Sequence, residues 1–559
     1  MSRIRRQEGK HWPKVLASRV SRRQLMQMSA LGAAGAAAAA YVGCNDEGTG
    51  EKAVLTGPRA VATASSSRPW SPTVTPTPFH LKGAAGGERP NFIFLMADEL
   101  RADAVHCIDG QPIQTPNMDR LAEQGVVFSN CFTVHSVCSP SRCSFMTGWY
   151  PHTLGHRTLY HLLRPHEPNL LKYLKSNGYF VQWNGKNDLL AEASFADSVS
   201  QRATNTAPSP LWPANPWPAD HRFFKSFYFG PRGEAGQLPY QDLDWVWTQE
   251  AIKFLQSPPD EPFMLYLPLV FPHPPYSVEE PYFSMYDRSS VRQPLPPQLD
   301  DKPHFMRELH RRMGMDRLDE ADLREIVATY WGMVTRFDDL VGQLMAALQT
   351  SSVRDNTVVI LTSDHGDYAC DYGLTEKWWT GFQDCIVRVP LIALLPGERG
   401  GRRIEALTET IDVFPTIMEL AGIAPQHTQF GRSLLPLILG ETQEHRSAVF
   451  AEGGQVPGEQ QTLETPWPKG TIYYDKTNLQ HEDPTTLAKG TMIRTDRWKY
   501  VARLESQEEE LYDLKADPGE LVNLAGDNKY ADIVADLRDQ QLQWFLATGD
   551  AVPFDKDGR

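Results

Sequence analysis

The chain is poor in cysteine, with seven among 559 residues. A protein of this length with so few does not rely on a disulfide framework. Basic charge is also short: 55 Lys and Arg stand against 69 Asp and Glu, a formal net charge of −14. That balance excludes a general nucleic-acid binder, because phosphate backbones reward clustered Lys and Arg. It says little about a small anion, which feels only its own pocket. No internal repeat is apparent, and at 41% hydrophobic content the chain can bury a large core, so a single small module is excluded.

The basic residues that do occur gather at the start, where Arg3, Arg5, Arg6, Lys10, Lys14, Arg19, Arg22 and Arg23 precede an Ala-rich stretch from Met28 to Val42. This is the pattern of an export leader. Ser21-Arg22-Arg23-Gln24-Leu25-Met26 resembles a twin-arginine signal, and the modest hydrophobicity of the Ala run suits that route better than a membrane-spanning anchor. Tyr41-Val42-Gly43-Cys44 resembles a bacterial lipobox with Tyr in place of the usual Leu, so a lipid anchor at Cys44 and a free periplasmic protein both stay open. Residues 1–44 are thus read as the export signal, and residues 45–88, rich in Thr, Ser, Pro, Gly and Ala, as a flexible tether.

Folded sequence begins at Asn91-Phe92-Ile93-Phe94-Leu95-Met96, an apolar run of strand length that ends in Asp98-Glu99. The pattern recurs at 179–183 before Lys186, at 263–267 before His273, and at 357–361 before Asp364-His365. Such runs suit strands buried on both faces. In open α/β sheets the carboxyl edge binds ligands, so these four strands predict a crevice ringed by Asp98, Lys186, His273 and Asp364. Helices are expected from Pro116 to Gly125, from Asp319 to Leu348 and around 530–546. Between 191 and 241 regularity lapses into Pro, Trp and Phe, read as an insertion near the mouth of the site.

Cys138-Ser139-Pro140-Ser141-Arg142, followed by Thr147-Gly148, reads locally as a strand turning at Pro140 into a short helix that Ser139 and Ser141 can cap, with an anion site at its first N–H groups. The string resembles the signature of the type I sulfatases, Cys-x-Pro-x-Arg then Thr-Gly, and the resemblance runs from about Pro90 to about Ala525. It implies an α/β, alkaline-phosphatase-like large domain (89–445) whose central, mostly parallel sheet is flanked by helices. A small C-terminal α+β domain with an antiparallel sheet (446–559) completes the implied fold.

The resemblance implies a chemistry as well. Cys138 becomes formylglycine, whose hydrate attacks sulfur. Asp98, Glu99, Cys138, Asp364 and His365 are the implied metal ligands, with Ca2+ the expected ion and Mg2+ the alternative. Arg142 would hold the modified residue, Lys186 and Lys377 would bracket the sulfate with His273, and Lys377 or His273 would protonate the leaving oxygen. One departure stands out. The family's Lys-x-His is here Lys186-Asn187-Asp188, so Asp188 takes the place of a histidine, and His152 or His156 is a candidate to supply the missing imidazole. With Cys44 lipidated and Cys138 converted, five cysteines remain, including Cys370 and Cys385.

The function this implies is an exported sulfatase acting on sulfate monoesters of carbohydrates or aryl alcohols. Its maturation partners would be a formylglycine-generating enzyme and the twin-arginine translocase, and its location the periplasm or cell envelope. Two alternatives remain: a phosphonate monoester hydrolase or phosphodiesterase using the same site, and a non-catalytic surface protein that binds sulfated glycans.

Overall fold

The computed structural model describes residues 89–233, 239–504 and 508–558. The expected leader, Cys44 and the 45–88 tether lie outside these residues. The strands of the larger sheet are β1 (Asn91–Ala97), β2 (Val126–Phe132), β3 (Phe180–Trp183) and β4 (Gln201–Arg202), followed, after the short β5 (Tyr228–Pro231), by β6 (Phe263–Pro268). Then come β7 (Tyr276–Val278), which pairs only with β5, and β8 (Thr357–Ser363), β9 (Arg388–Leu394), β10 (Arg402–Ile404) and β11 (Thr408–Glu409). Their order is β10-β2-β9-β8-β1-β6-β3-β4, with β11 also on β2. β9 alone runs against its neighbours; the other pairings are parallel.

The four apolar runs read from the sequence are β8, β1, β6 and β3, adjacent in that order. Alternation along them feeds two cores. Ile93, Leu95, Leu265, Leu267, Val359 and Leu361 face one side, where the helix Glu320–Thr350 contributes Tyr330, Val334 and Phe337 and the helix Leu243–Gln256 contributes Trp247 and Leu255. Phe92, Phe94, Met264, Tyr266, Val358 and Ile360 face the other, against Phe145, Met146, Phe414 and Ile417. Apolar residues on both faces are what a sheet covered by helices on each side requires. The long helix begins where the sequence places it, because Asp319 and Asp322 form a reciprocal capping box.

A second, antiparallel sheet joins β12 (Val449–Gly453), β13 (Gly490–Arg494), β14 (Trp498–Arg503) and β15 (Glu510–Asp513) in sequence order. The helix Ala531–Thr548 covers it, with Trp544 stacked on Phe450 at 4.8 Å between ring centroids. The two sheets are tied where the Phe450 N–H donates to Glu409 and the Glu452 N–H donates to the Val134 carbonyl. All six cysteines among the described residues are free, Cys370 and Cys385 included.

Candidate active site

The helix Cys138–Thr147 is buried along its whole length, and Cys138 is its first residue. The two serines do not cap it as expected. Val137 holds the cap position without a side-chain bond, while Ser139 donates to the Leu159 carbonyl and Ser141 to the Asp364 carbonyl. Both hydroxyls lie inside the first turn, where they tie the helix to its neighbours. Gly148 closes the helix at φ +72°, and a Cβ there would press on Gln429.

The loops after β1 and β8 deliver the carboxylates. Asp98, Cys138, Asp364 and His365 place one ligand atom each within 4.8 Å of one another, all buried. Cys138 Sγ lies 3.4 Å from Asp98 Oδ1 and 3.2 Å from His365 Nε2. Each carboxylate turns its other oxygen to a cation: Asp98 Oδ2 accepts from Arg142 (2.8 Å) and Lys186 (2.6 Å), and Asp364 Oδ2 accepts from Arg142 (2.8 Å). Burial alone would raise Asp98, but Lys186 and Arg142 outweigh it and hold its carboxyl well below the usual range. The guanidinium of Arg142 therefore reaches the two carboxylates through Nε and Nη2, and its buried Nη1 has no hydrogen-bond partner among the described residues.

His365 Nδ1 bonds to the Gly366 carbonyl at 2.9 Å, which leaves the Nε2 lone pair facing the cluster. Burial holds this imidazole neutral, pushing its pKa down to about 4. Two anionic oxygens and a neutral imidazole around one point are a donor set that fits a divalent cation. The thiol itself is a poor nucleophile here, because burial and then the Asp98 charge push it well above the ordinary cysteine range.

Glu99 stands apart from this group. It takes a left-handed φ of +67° and forms an ion pair with Lys377, and it shares a second potential ligand set with Asp98 and His273. Lys377 also meets Glu376 at 3.0 Å and His273 Nε2 at 3.1 Å. His273 donates from Nδ1 to the Pro274 carbonyl (2.6 Å), so its Nε2 accepts from Lys377; burial, then the Lys377 charge, keep the ring neutral. Lys186 follows Gly185, where a Cβ would meet the Pro268 carbonyl at 2.2 Å. Its ammonium bridges Asp98 and Asp188, the latter at 2.9 Å.

Neither candidate imidazole joins the cluster. His152 lies between Glu452 (2.6 Å) and Thr548 (2.9 Å) under the second sheet, and His156 is engaged by the His161 carbonyl (2.7 Å) and Glu167 (3.3 Å). The imidazole nearest Cys138 belongs to His365.

Cys138, Lys186, Asp188, His273 and Lys377 open into a cavity of about 620 Å³. The sequence reading missed much of its wall: Glu376, Trp379, Glu464, Trp467, Tyr473 and Lys476. Lys476, buried on the helix Tyr474–Glu482, donates to the Lys377 carbonyl at 2.6 Å and pairs with Glu376. Within 191–241, Trp212 and Asn215 line the cavity whereas Phe223 is buried in the core. The crowding of Trp and Tyr from 467 to 474 was the available signal for this wall.

Residues 90–423 match the family model Sulfatase, and residues 456–545 match the model N-sulphoglucosamine sulphohydrolase, C-terminal. A curated relative, the multifunctional alkaline phosphatase superfamily protein PehA of Trinickia caryophylli, is 28% identical over 513 residues, covering 83% of this chain and 96% of its own. Among solved structures, the phosphonate monoester hydrolase of Agrobacterium radiobacter superposes with a TM-score of 0.65 at 23% identity, over 83% of this chain and 97% of that one. The structure of BT4656 in complex with its substrate D-glucosamine-2-N,6-O-disulfate gives 0.63 at 20% identity, over 82% and 98%. These likenesses establish the alkaline-phosphatase-like fold.

Proposed function

Because the chain belongs to the sulfatase family, a class of sulfuric ester hydrolases, we propose that it hydrolyses sulfate monoesters of carbohydrate or aryl alcohols at Cys138. The observation that carries this reading is a buried Cys138 at a helix start, facing Asp98, His365 and Lys186 inside a large cavity. Formylglycine at position 138 would supply, as its hydrate, a hydroxyl to attack sulfur, and a Ca2+ or Mg2+ ion held by Asp98, Asp364, His365 and residue 138 would supply positive charge beside it.

The chain's own groups do the rest. Arg142 fixes the two carboxylates, so they present one oxygen each to the cluster. Lys186 and Lys377 neutralise charge on the transferring group. Asp188, beside Lys186, takes a proton from the attacking hydroxyl, and Lys377, whose ammonium donates to His273 Nε2, gives one to the leaving alcohol.

A second reading, phosphonate monoester or phosphodiester hydrolysis, is favoured by the likeness to PehA and to the phosphonate monoester hydrolase. We further propose maturation by a formylglycine-generating enzyme and export by the twin-arginine translocase. The deciding experiment couples peptide mass spectrometry of residue 138 with side-by-side turnover of an aryl sulfate and an aryl phosphonate monoester. Conversion with faster sulfate turnover supports the first reading, and faster phosphonate turnover the second. An unconverted thiol, under conditions that convert a control sulfatase, leaves a non-catalytic binder of sulfated glycans.

A further inference from the structure

Three large aromatic side chains are left half exposed on the walls of one cavity: Tyr160 at 55%, Trp212 at 49% and Trp467 at 47%. Scattered singly such residues are ordinary, but gathered on one cavity they form a binding face. Trp212 lies beside His273, 6.0 Å between ring centroids, at the end where the leaving oxygen would be protonated. Trp467 lies 5.2 Å from Tyr473, and both rings line the same cavity. A flat ring leaving beside His273 and Lys377 therefore has Trp212 as an aromatic neighbour.

The charges on this wall balance, three lysines against three carboxylates, and leave no net positive charge for an acidic glycan. Asp188, Glu376 and Glu464 line it, and no arginine does among the described residues. The three lysines are already engaged: Lys186 with Asp98 and Asp188, Lys377 with Glu99 and Glu376, and Lys476 with Glu376. The first two are those that would meet the transferring group itself. A second sulfate or a carboxylate on the alcohol would enter a region with no unpaired cation and with one carboxylate, Glu464, that accepts from Trp379 and Gln480 rather than from a cation. Asn215 and Thr477 remain as neutral polar partners.

We propose that the cavity selects sulfate esters whose alcohol is an uncharged ring and turns away alcohols that carry a second anionic group. The proposal rests on the hydrolase reading above and narrows its substrate class.

The test uses the full-length, modified, metal-loaded protein and two pairs of esters. The aryl pair is 4-(carboxymethyl)phenyl sulfate and its methylamide, which differ little in leaving-group reactivity. The sugar pair is glucosamine 2-N,6-O-disulfate and methyl glucopyranoside 6-sulfate. The neutral member of each pair should show at least tenfold higher kcat/KM, chiefly through KM, and the better pair identifies the ring as aryl or sugar. Trp212→Ala and Trp467→Ala should raise KM for the neutral esters about tenfold, and Glu464→Gln should narrow the gap between neutral and anionic members. Equal or faster turnover of the anionic members overturns this proposal alone. No turnover of any of the four overturns the sulfatase reading with it.

Discussion

Removing Arg142 should unbalance two buried carboxylates at once, and the cost can be worked from the contacts. Its Nε lies 2.8 Å from Asp364 Oδ2 and its Nη2 lies 2.8 Å from Asp98 Oδ2, with all three side chains fully buried. At an effective dielectric of about 20, charges this close interact by about 6 kcal/mol before desolvation is counted. Deleting one partner of a buried pair costs about 3–5 kcal/mol, because the other charge is stranded.

Asp98 keeps Lys186, so in Arg142→Met the stranded group is Asp364. Neutralising it as well, in Arg142→Met with Asp364→Asn, should restore most of the loss, giving a coupling of about 2–4 kcal/mol. At about 2.1 cal/mol/K per residue over roughly 470 ordered residues, the unfolding entropy is about 1 kcal/mol/K, so Arg142→Met alone should lower Tm by about 3–5 °C. The assay is calorimetry of wild type, both single variants and the double variant in chelator, so that no bound ion substitutes for the guanidinium. If the two single losses add to within about 0.5 kcal/mol, the carboxylate clamp has no energetic reality and the reasoning fails.

Three other outcomes follow, two from the structure and one from the sequence of the leader. Burial holds His427 down to about 4, its ring bonded to the Thr147 carbonyl (2.8 Å) and the Tyr173 hydroxyl (2.9 Å). The unfolded chain then binds a proton that the folded chain refuses between about pH 6.5 and 4, so stability should fall by at most about 3 kcal/mol as pH drops through that window. His427→Asn should flatten this limb in a Tm-against-pH series. Burial likewise lowers Lys476 to about 8. Its ammonium is lost as pH rises through that value, leaving Glu376 to Lys377 alone, which Glu99 also engages, so KM for an anionic substrate should climb above pH 8 in steady-state kinetics, and Lys476→Met should show the high KM already at pH 7. For export, Arg22→Lys with Arg23→Lys should strand the protein in the cytoplasm on cell fractionation, whereas Cys44→Ala should abolish lipid labelling only if that residue is the anchor.

The parts legible in the sequence are those set by local pattern. β1, β3, β6 and β8 could be read because strands covered on both faces are apolar throughout, and their carboxyl ends name the site residues without knowledge of any partner. The helix Glu320–Thr350 was marked by its periodicity. Where a charged side chain goes was not legible, since that depends on neighbours remote in sequence. Arg142 spans from position 142 to Asp98 and Asp364, Glu99 meets Lys377 across 278 positions, and His152 is drawn to Glu452 across 300. The cavity wall from 464 to 477 was hidden for a related reason. It includes a loop of Pro, Gly and aromatic residues without periodicity, and only the path of the chain brings it over Cys138.

That path separates two kinds of inheritance. The groups around Cys138 come from the strand ends of the large sheet, whereas Trp467, Tyr473 and Lys476 reach the same cavity from a stretch beyond β12. Selection can therefore rewrite what the protein accepts by altering a short late segment, so long as Lys476 keeps its hold on the Lys377 carbonyl and Glu376. Grafting 460–475 from a relative, with Lys476 retained, would be the corresponding way to change diet without rebuilding the engine.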